Sequence, residues 1–394
     1  MLSSVSALPA TDAQNLSTFD ALGRVLAQDV RSGLDVPPGD NTSMDGYALC
    51  CADLAAGAGA LRVSQRIPAG SVPEPLAPGT AARIFTGAQI PPGADAVVMQ
   101  EQCRAEGSVV HVQTSPSPGQ WIRRRGEDVR QGDVVLAAGT RLTPQAMGLA
   151  ASVGAATLHV SRRPRIALFS TGDELMMPGE PLKPGAIYNS NRYTLRGLIE
   201  ALGGQCSDLG IVPDKLDATR EALRRAALDN DLIVTSGGVS VGEEDHLRPA
   251  VALEGSVDLW QIAIKPGKPF AFGTVRRADT CSAHFIGLPG NPVSSWVTFL
   301  LLVRPVLLRL QGATGLDVAP LLMRADFAWP RPDKRREFLR ARRNAQGGLD
   351  LFPNQSSGVL TSTVWADMLI DNPASHAIAK GDMVRALSIA ELLA

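Results

Sequence analysis

Four short segments carry the residue types that handle phosphates and other oxyanions. The run Thr235 to Asp245 opens with Ser236-Gly-Gly-Val-Ser240, two hydroxyls around two adjacent glycines (Gly237, Gly238). Such glycines let a backbone approach a ligand closely, and successive N–H groups beside hydroxyls can cradle phosphate oxygens. The acids that follow, Glu243, Glu244 and Asp245, would repel an anion unless a divalent cation lay between. This pairing points to Mg²⁺-assisted chemistry on a phosphate ester or anhydride. The plainer alternative is a loop whose acids favour the start of the next helix. Ser170-Thr-Gly-Asp-Glu174 is a polar turn after an apolar run, the place where doubly wound sheets bind ligands. Taken alone it fits a surface turn equally well. Lys265-Pro-Gly-Lys268 sets two ammonium groups on a stiff turn, suited to phosphate or a tetrahedral oxyanion, or simply to water. Gly287-Leu-Pro-Gly-Asn-Pro-Val-Ser294 delivers Pro292 to a first helical turn, whose free N–H groups attract anions.

Other segments are weaker or negative. Asn41 to Tyr47 and Phe85 to Ala88 are polar turns, and Trp121 to Asp128 sets three arginines beside two acids, an ion-pair knot or a solvated face. No P-loop is present. Five scattered histidines form no HxH or HxxxH pair, and five cysteines form no CxxC pair. A zinc site or disulfide framework is therefore not suggested, and a metal here would be a hard cation on oxygen ligands.

The elements that must position these segments follow from length and pattern. A chain of 394 residues exceeds one ordinary core. With 45% apolar residues, 20% charged and a formal net charge of −1, the composition is globular. It lacks the basic excess of a nucleic-acid binder. The apolar stretch from Trp296 past Arg304 and Pro305 is too interrupted to predict a membrane span, and the first residues do not read as a signal peptide. A cytoplasmic chain is the expectation. Ser17 with Asp20, then Leu22, Val25 and Leu26 at helical spacing, predicts a first helix. Short β-type runs broken by Pro and Gly predict an all-β stretch over about 30–140. Thr143-Pro opens a helix. From about 163, strands at Arg165–Phe169, 208–212 and 232–235 alternate with helices at 191–202 and 218–228. This alternation predicts a parallel sheet flanked by helices. A long helix over 292–310 closes that stretch, and β-like, turn-rich sequence follows.

Nine segments in order (SMDGYA, FTGA, RRRGEDV, STGDEL, SGGVSVGEED, KPGKPFAFG, GLPGNPVS, REFLRAR and NQSSG) span residues 43–358. Together they resemble the MoeA family of molybdopterin molybdenumtransferases, which includes the C-terminal part of gephyrin. The resemblance implies a multidomain α/β plus β fold. Its parts would be a helical/β linker domain (1–30 and 131–162), a β-rich insert (31–130), a molybdopterin-binding α/β domain (163–311) and a β-barrel-like C-terminal domain (312–394). The α/β domain would be MoaB/MogA-like with a mostly parallel sheet. The implied reaction takes adenylylated molybdopterin and molybdate to molybdenum cofactor and AMP, with Mg²⁺. Implied partners are a second copy, in an elongated homodimer whose insert reaches over the partner's α/β domain, and the adenylyltransferase of the preceding step. No nucleic acid and no membrane enter.

The catalytic set implied is Asp45, Thr86, Asp128, Glu174, Asp214 and Asp245, with Glu174 and Asp245 on the metal. The substrate set joins the loop residues Ser236, Gly237, Gly238 and Ser240 to Lys265, Lys268, Pro289, Pro292, Ser294 and Arg340. One departure stands out: many bacterial members carry a lysine just after the tryptophan that precedes KPGKP, and here Trp260 is followed by Gln261. Two rival readings share the α/β fold: the adenylyltransferase itself, and a non-catalytic gephyrin-like scaffold. The three additional modules tell against the first, and the full complement of acids and lysines against the second.

Overall fold

The computed structural model describes residues 1–55, 59–239, 246–277 and 281–393, without the side chains of Ala55 and Trp260. Ser240 and Asp245 of the expected site lie outside the described residues.

The central layer is a six-stranded sheet built from β1 (Arg165–Thr171), β2 (Gln205–Val212), β3 (Leu232–Ser236), β4 (Gly255–Gln261), β5 (Pro269–Arg276) and β6 (Ser282–Leu288). Its order is β2-β1-β3-β6-β5-β4; the first four strands are parallel, and β5 and β4 continue antiparallel. β1 and β3 are buried almost throughout, as parallel strands covered on both faces must be. Their period-2 alternation divides them between two cores. Ile166, Leu168 and Val234 face a cluster with Leu195, Ile199 and Val297, while Ala167, Phe169 and Ile233 face one with Leu223, Ala226 and Val251. The helices of this layer are α1 (Ser190–Ala201), α2 (Leu216–Asp229) and α3 (Leu247–Glu254), followed by the helical run Pro292–Leu310. The mostly parallel sheet expected from the alternation is present.

The helical run is α-helical over Pro292–Thr298 and Arg304–Leu310, with a π turn at Phe299–Val303 between them. Pro305 has no N–H to give to the preceding turn and its ring crowds the carbonyl four residues back, so the ladder widens there. This run is long and apolar enough to cross a membrane, yet 78% of its apolar window is buried in the protein core.

Before it, a second six-stranded sheet carries Gly46–Leu49, Ala60–Ile67, Thr80–Ile84, Ala96–Met99, Cys103–Glu106 and Val109–Val112. A third sheet, after the helical run, joins Ile264–Lys265, Arg336–Arg343, Met368–Asn372, Met383–Ser388 and Leu321–Arg324 in that order. Leu349–Leu351 pairs with Arg336–Arg343, and one bridge from Ala325 to Leu349 links the far edge back to it. The helix expected after Thr143 runs Pro144–Ser152, with the Thr143 hydroxyl accepting from Ala146 N–H.

The first helix is not formed. Gln14–Ser17 is a strand paired with Thr157–Val160, and Ser17 caps only the 3₁₀ turn Thr18–Asp20. Gly23 at φ +72° then breaks the helical path, and Val25 and Leu26 form bridges to Arg141 and Val160. The apolar spacing was that of a folded loop packed on a sheet, a tertiary override of local pattern.

Candidate active site

Parallel strands end together, so the turns after β1, β3 and β6 meet at one edge. There they line a cavity of about 590 Å³ with Glu174, Asp214, Ser236, Gly237, Gly238, Pro289, Pro292 and Ser294 among its walls. Eight of the residues expected to act are thus brought together. Gly237 (φ +92°) and Gly238 (φ +66°) have the left-handed backbone that favours glycine. A Cβ on them would stand 2.5 Å from Thr171 O and 2.6 Å from Thr171 Oγ1, respectively. The glycines are therefore needed for close approach to the β1 turn, whatever ligand the loop meets. The Gly237 N–H is spent on Leu288 O at 3.1 Å, which shortens the expected cradle; the Gly238 N–H donates to no acceptor among the described residues.

Asn191 joins the loops. Its Nδ2 donates to Ser236 Oγ (2.7 Å) and to Gly290 O (2.8 Å), tying the β3 turn to the β6 turn from the first residues of α1. The neighbouring Asn189, only 2% exposed, caps α1 by accepting from Arg192 N–H, and its Nδ2 has no acceptor. Both asparagines line the cavity and both were missed by sequence reasoning. The signal available was Asn189-Ser-Asn191 at a helix start, legible as a cap and no more.

The C-terminal sheet supplies one wall. Gly358 lines the cavity, and Ser357 O accepts from Val293 N–H at 3.0 Å, using one of the first N–H groups of the helical run. That loop is held by Arg340, 1% exposed and without an ion-pair partner among the described residues. Its guanidinium donates to Ser356 O, Phe338 O and Ser362 Oγ, and Gln355 bonds both its N–H and its carbonyl. Burial pushes the guanidinium pKa down to about 10.

The lysines diverge. Lys265 sits in the C-terminal sheet, its Nζ 3.3 Å from both Asp333 Oδ2 and the buried Glu337 Oε1. With Arg340 it lines a separate cavity of about 270 Å³. Arg335 above all, with help from Lys265, holds the Asp333 carboxyl well below the usual carboxylate range. Lys268 is exposed, immediately before the cavity-lining Pro269.

The insert residues lie elsewhere within the chain. Asp45 Oδ1 accepts from Thr86 N–H (2.7 Å) and Thr86 Oγ1 (2.8 Å), and these bonds lower the Asp45 pKa. Asp128 is exposed, its N–H donating to Val36 O. The arginine run beside it is an ion-pair knot: Arg124 meets Asp40 at 2.6 Å and Arg125 meets Asp35 at 2.5 Å. Asp45, Thr86 and Asp128 are not among the residues lining the strand-end cavity.

No group of three or more metal-ligating side chains occurs among the described residues. Magnesium, however, is usually held by one or two carboxylates plus phosphate oxygens and water. Glu174 and Asp214 on the wall beside the Gly238 N–H fit that mode.

Three family profiles cover the chain: "MoeA N-terminal region (domain I and II)" at residues 1–154, "Probable molybdopterin binding domain" at 167–309, and "MoeA C-terminal region (domain IV)" at 323–389. A molybdopterin molybdenumtransferase of Haemophilus influenzae is 45% identical over 304 residues, 77% of this chain and 74% of that protein. One from a Nostoc species is 39% identical over 307 residues, 76% of this chain and 70% of that one. The crystal structure of the molybdopterin biosynthesis moeA protein from Pyrococcus horikoshii superposes with a TM-score of 0.83 at 29% identity, covering 98% of this chain and 97% of that one.

Proposed function

Since the chain belongs to the MoeA family of molybdopterin molybdenumtransferases, the enzymes that insert molybdenum in cofactor biosynthesis, we propose that it works on adenylylated molybdopterin at the strand-end cavity, releasing AMP. The observation that carries this reading is that Glu174 and Asp214, the Ser236-Gly-Gly turn and the start of the helical run line one cavity. A substrate that joins a phosphate anhydride to a pterin needs both a carboxylate-bearing face and an anion-accepting one.

Glu174 and Asp214, with Asp245, would hold Mg²⁺, which supplies positive charge to the phosphates when bound. The chain's own groups do the positioning. Gly238 N–H and Ser236 Oγ orient phosphate oxygens, with Asn191 holding the hydroxyl in place. Pro289 and Pro292 stiffen the turn that presents Ser294. Asn189 Nδ2, a donor without an acceptor, takes an oxygen of the substrate. Lys268 and Ser294 receive the molybdate dianion, while Lys265 stays paired with Asp333 and Glu337 at the separate cavity. Arg340 contributes by fixing the Ser356–Gly358 wall. Ser240, outside the described residues, belongs to the proposed substrate set.

The division is the four-domain one: 1–30 with 131–162, then 31–130, 163–311 and 312–394. Asp45, Thr86 and Asp128 act by completing the cavity of a second copy in a homodimer. The adenylyltransferase that makes the substrate hands it over, in the cytoplasm. Purified protein given adenylylated molybdopterin, molybdate and Mg²⁺ should release AMP and yield molybdenum cofactor in equal amounts. Cofactor formed without AMP, or AMP released with no molybdenum inserted, refutes the coupled reaction.

A further inference from the structure

At the far end of the helical run from the strand-end cavity, two arginines line one cleft without an ion pair among the described residues. A cleft of about 710 Å³ lies between the first segment and the end of the helical run, with Arg141, Arg304 and the apolar Leu22, Pro144, Leu308 and Val318 among its walls. Arg304 is 6% exposed; its Nε donates to Leu392 O (2.8 Å) and its Nη1 to Leu316 O (2.7 Å). Arg141 donates from Nη2 to Ala201 O (3.1 Å), and its buried Nη1 has no acceptor. Neither guanidinium forms an ion pair among the described residues. Of the two exposed carboxylates on the wall, Asp317 acts on Arg304 through its charge, and neither Asp317 nor Glu391 forms an ion pair with either arginine among the described residues. Burial weakens the proton affinity of both guanidiniums; for Arg304 the charge of Arg141 weakens it further and that of Asp317 offsets part of the loss. Buried charges are ordinarily paired, and here two like charges share one wall.

We infer that this cleft is a second ligand site, for a small organic carboxylate whose head lies between Arg141 and Arg304 and whose short apolar body lies on Leu22, Leu308 and Val318. A planar guanidinium fork matches a carboxylate in two-point contact, and a mainly apolar cleft with a few convergent polar groups is the usual form of a small-ligand site. An inorganic oxyanion would meet the charge but leave the apolar wall wet.

The probe is hexanoate, titrated calorimetrically into the full chain, with hexanamide and inorganic phosphate as controls. Hexanoate should bind saturably at one site per chain, at least about tenfold more tightly than either control. Leu22 is 57% exposed at the rim, so Leu22→Glu leaves folding intact while bringing a competing carboxylate. It should weaken hexanoate about tenfold or more, Leu22→Gln should not, and Arg141→Gln should weaken it as Leu22→Glu does. The inference is overturned if wild-type protein shows no saturable binding, if hexanamide or phosphate binds as well as hexanoate, or if Leu22→Glu and Leu22→Gln behave alike.

Discussion

Asn191→Asp exchanges an amide donor for a carboxylate of the same shape at a position 8% exposed. Of the two bonds it makes, one can be recovered: the Ser236 hydroxyl can turn and donate to the new oxygen. The other cannot, because Gly290 O would face an acceptor where it now has a donor at 2.8 Å. Leaving a buried carbonyl unpaired costs about 1–3 kcal/mol, and partial desolvation of a carboxylate adds to it, so a local loss of about 2–4 kcal/mol is expected at neutral pH. Protonation restores an O–H donor for Gly290 O, so the folded state holds that proton more tightly than the unfolded chain, whose carboxyl titrates near about 3.9. The variant's folded pKa is therefore raised. Its stability is greatest below the unfolded value and falls as pH rises through the raised folded value. Hydrogen exchange of the amides after β3 and β6, which reports local opening free energy, should show a deficit against wild type that grows from pH 5 to pH 8. Pterin affinity should fall about tenfold for each 1.4 kcal/mol lost. A deficit under about 0.5 kcal/mol, or one that does not change with pH, would show that Asn191 does not join the two turns in solution.

Gly238→Ala should cost at least about 1–2 kcal/mol from its left-handed backbone, before the contact with Thr171 is relieved; Gly358→Ala, with open space at its Cβ, should leave thermal unfolding unchanged. Lys268→Ala should weaken substrate or molybdate binding by about 1.5–3 kcal/mol with little change in thermal stability; a collapse of stability at unchanged affinity would make the lysine structural. Asp245→Asn should leave folding intact and stop AMP release, and wild-type turnover at matched Mg²⁺ would remove Asp245 from the mechanism. Co-folding Asp45→Asn with Asp245→Asn chains should recover roughly a quarter of wild-type activity, because about half the dimers are mixed and each has one intact site. No recovery in mixed dimers confirmed by mass would place each site within one chain.

The α/β layer was legible because its signals are redundant. Apolar runs such as Arg165–Phe169 alternate with amphipathic stretches, and glycine or proline marks several boundaries, as at Pro164, Gly203 and Pro213. The convergence of three motifs was legible for a related reason: the turns after parallel strands share an edge, so SGG, STGDE and GLPGNP meet around one cavity. Two kinds of feature were not legible. The segment after Ser17 has helical spacing, but its apolar residues pack on strands far along the chain, at Arg141 and Val160; local pattern holds no record of that partner. Side-chain direction was also hidden. Lys265 and Lys268 are three residues apart, yet the short strand Ile264–Lys265 carries the first ammonium to Asp333 and Glu337. Asn191 was passed over because an asparagine at a helix start has an adequate local explanation in capping, and its bonds reach 45 and 99 residues away.

The C-terminal sheet is joined to the cavity by a chain of contacts that gives two distant motifs one purpose. A buried guanidinium with no carboxylate partner is costly unless its donors are used, and Arg340 spends them mainly on backbone oxygens of its own strand and of the NQSSG loop. Gln355 then bonds that strand's N–H and carbonyl, fixing the loop from its other side. The loop so held places Ser357 O on Val293 N–H and Gly358 on the cavity wall. All three guanidinium nitrogens of Arg340 donate to protein oxygens, and the residue is almost wholly enclosed. REFLRAR and NQSSG therefore work as one unit that closes the start of the helical run, and the C-terminal sheet takes part in the site through backbone position more than through its own charge.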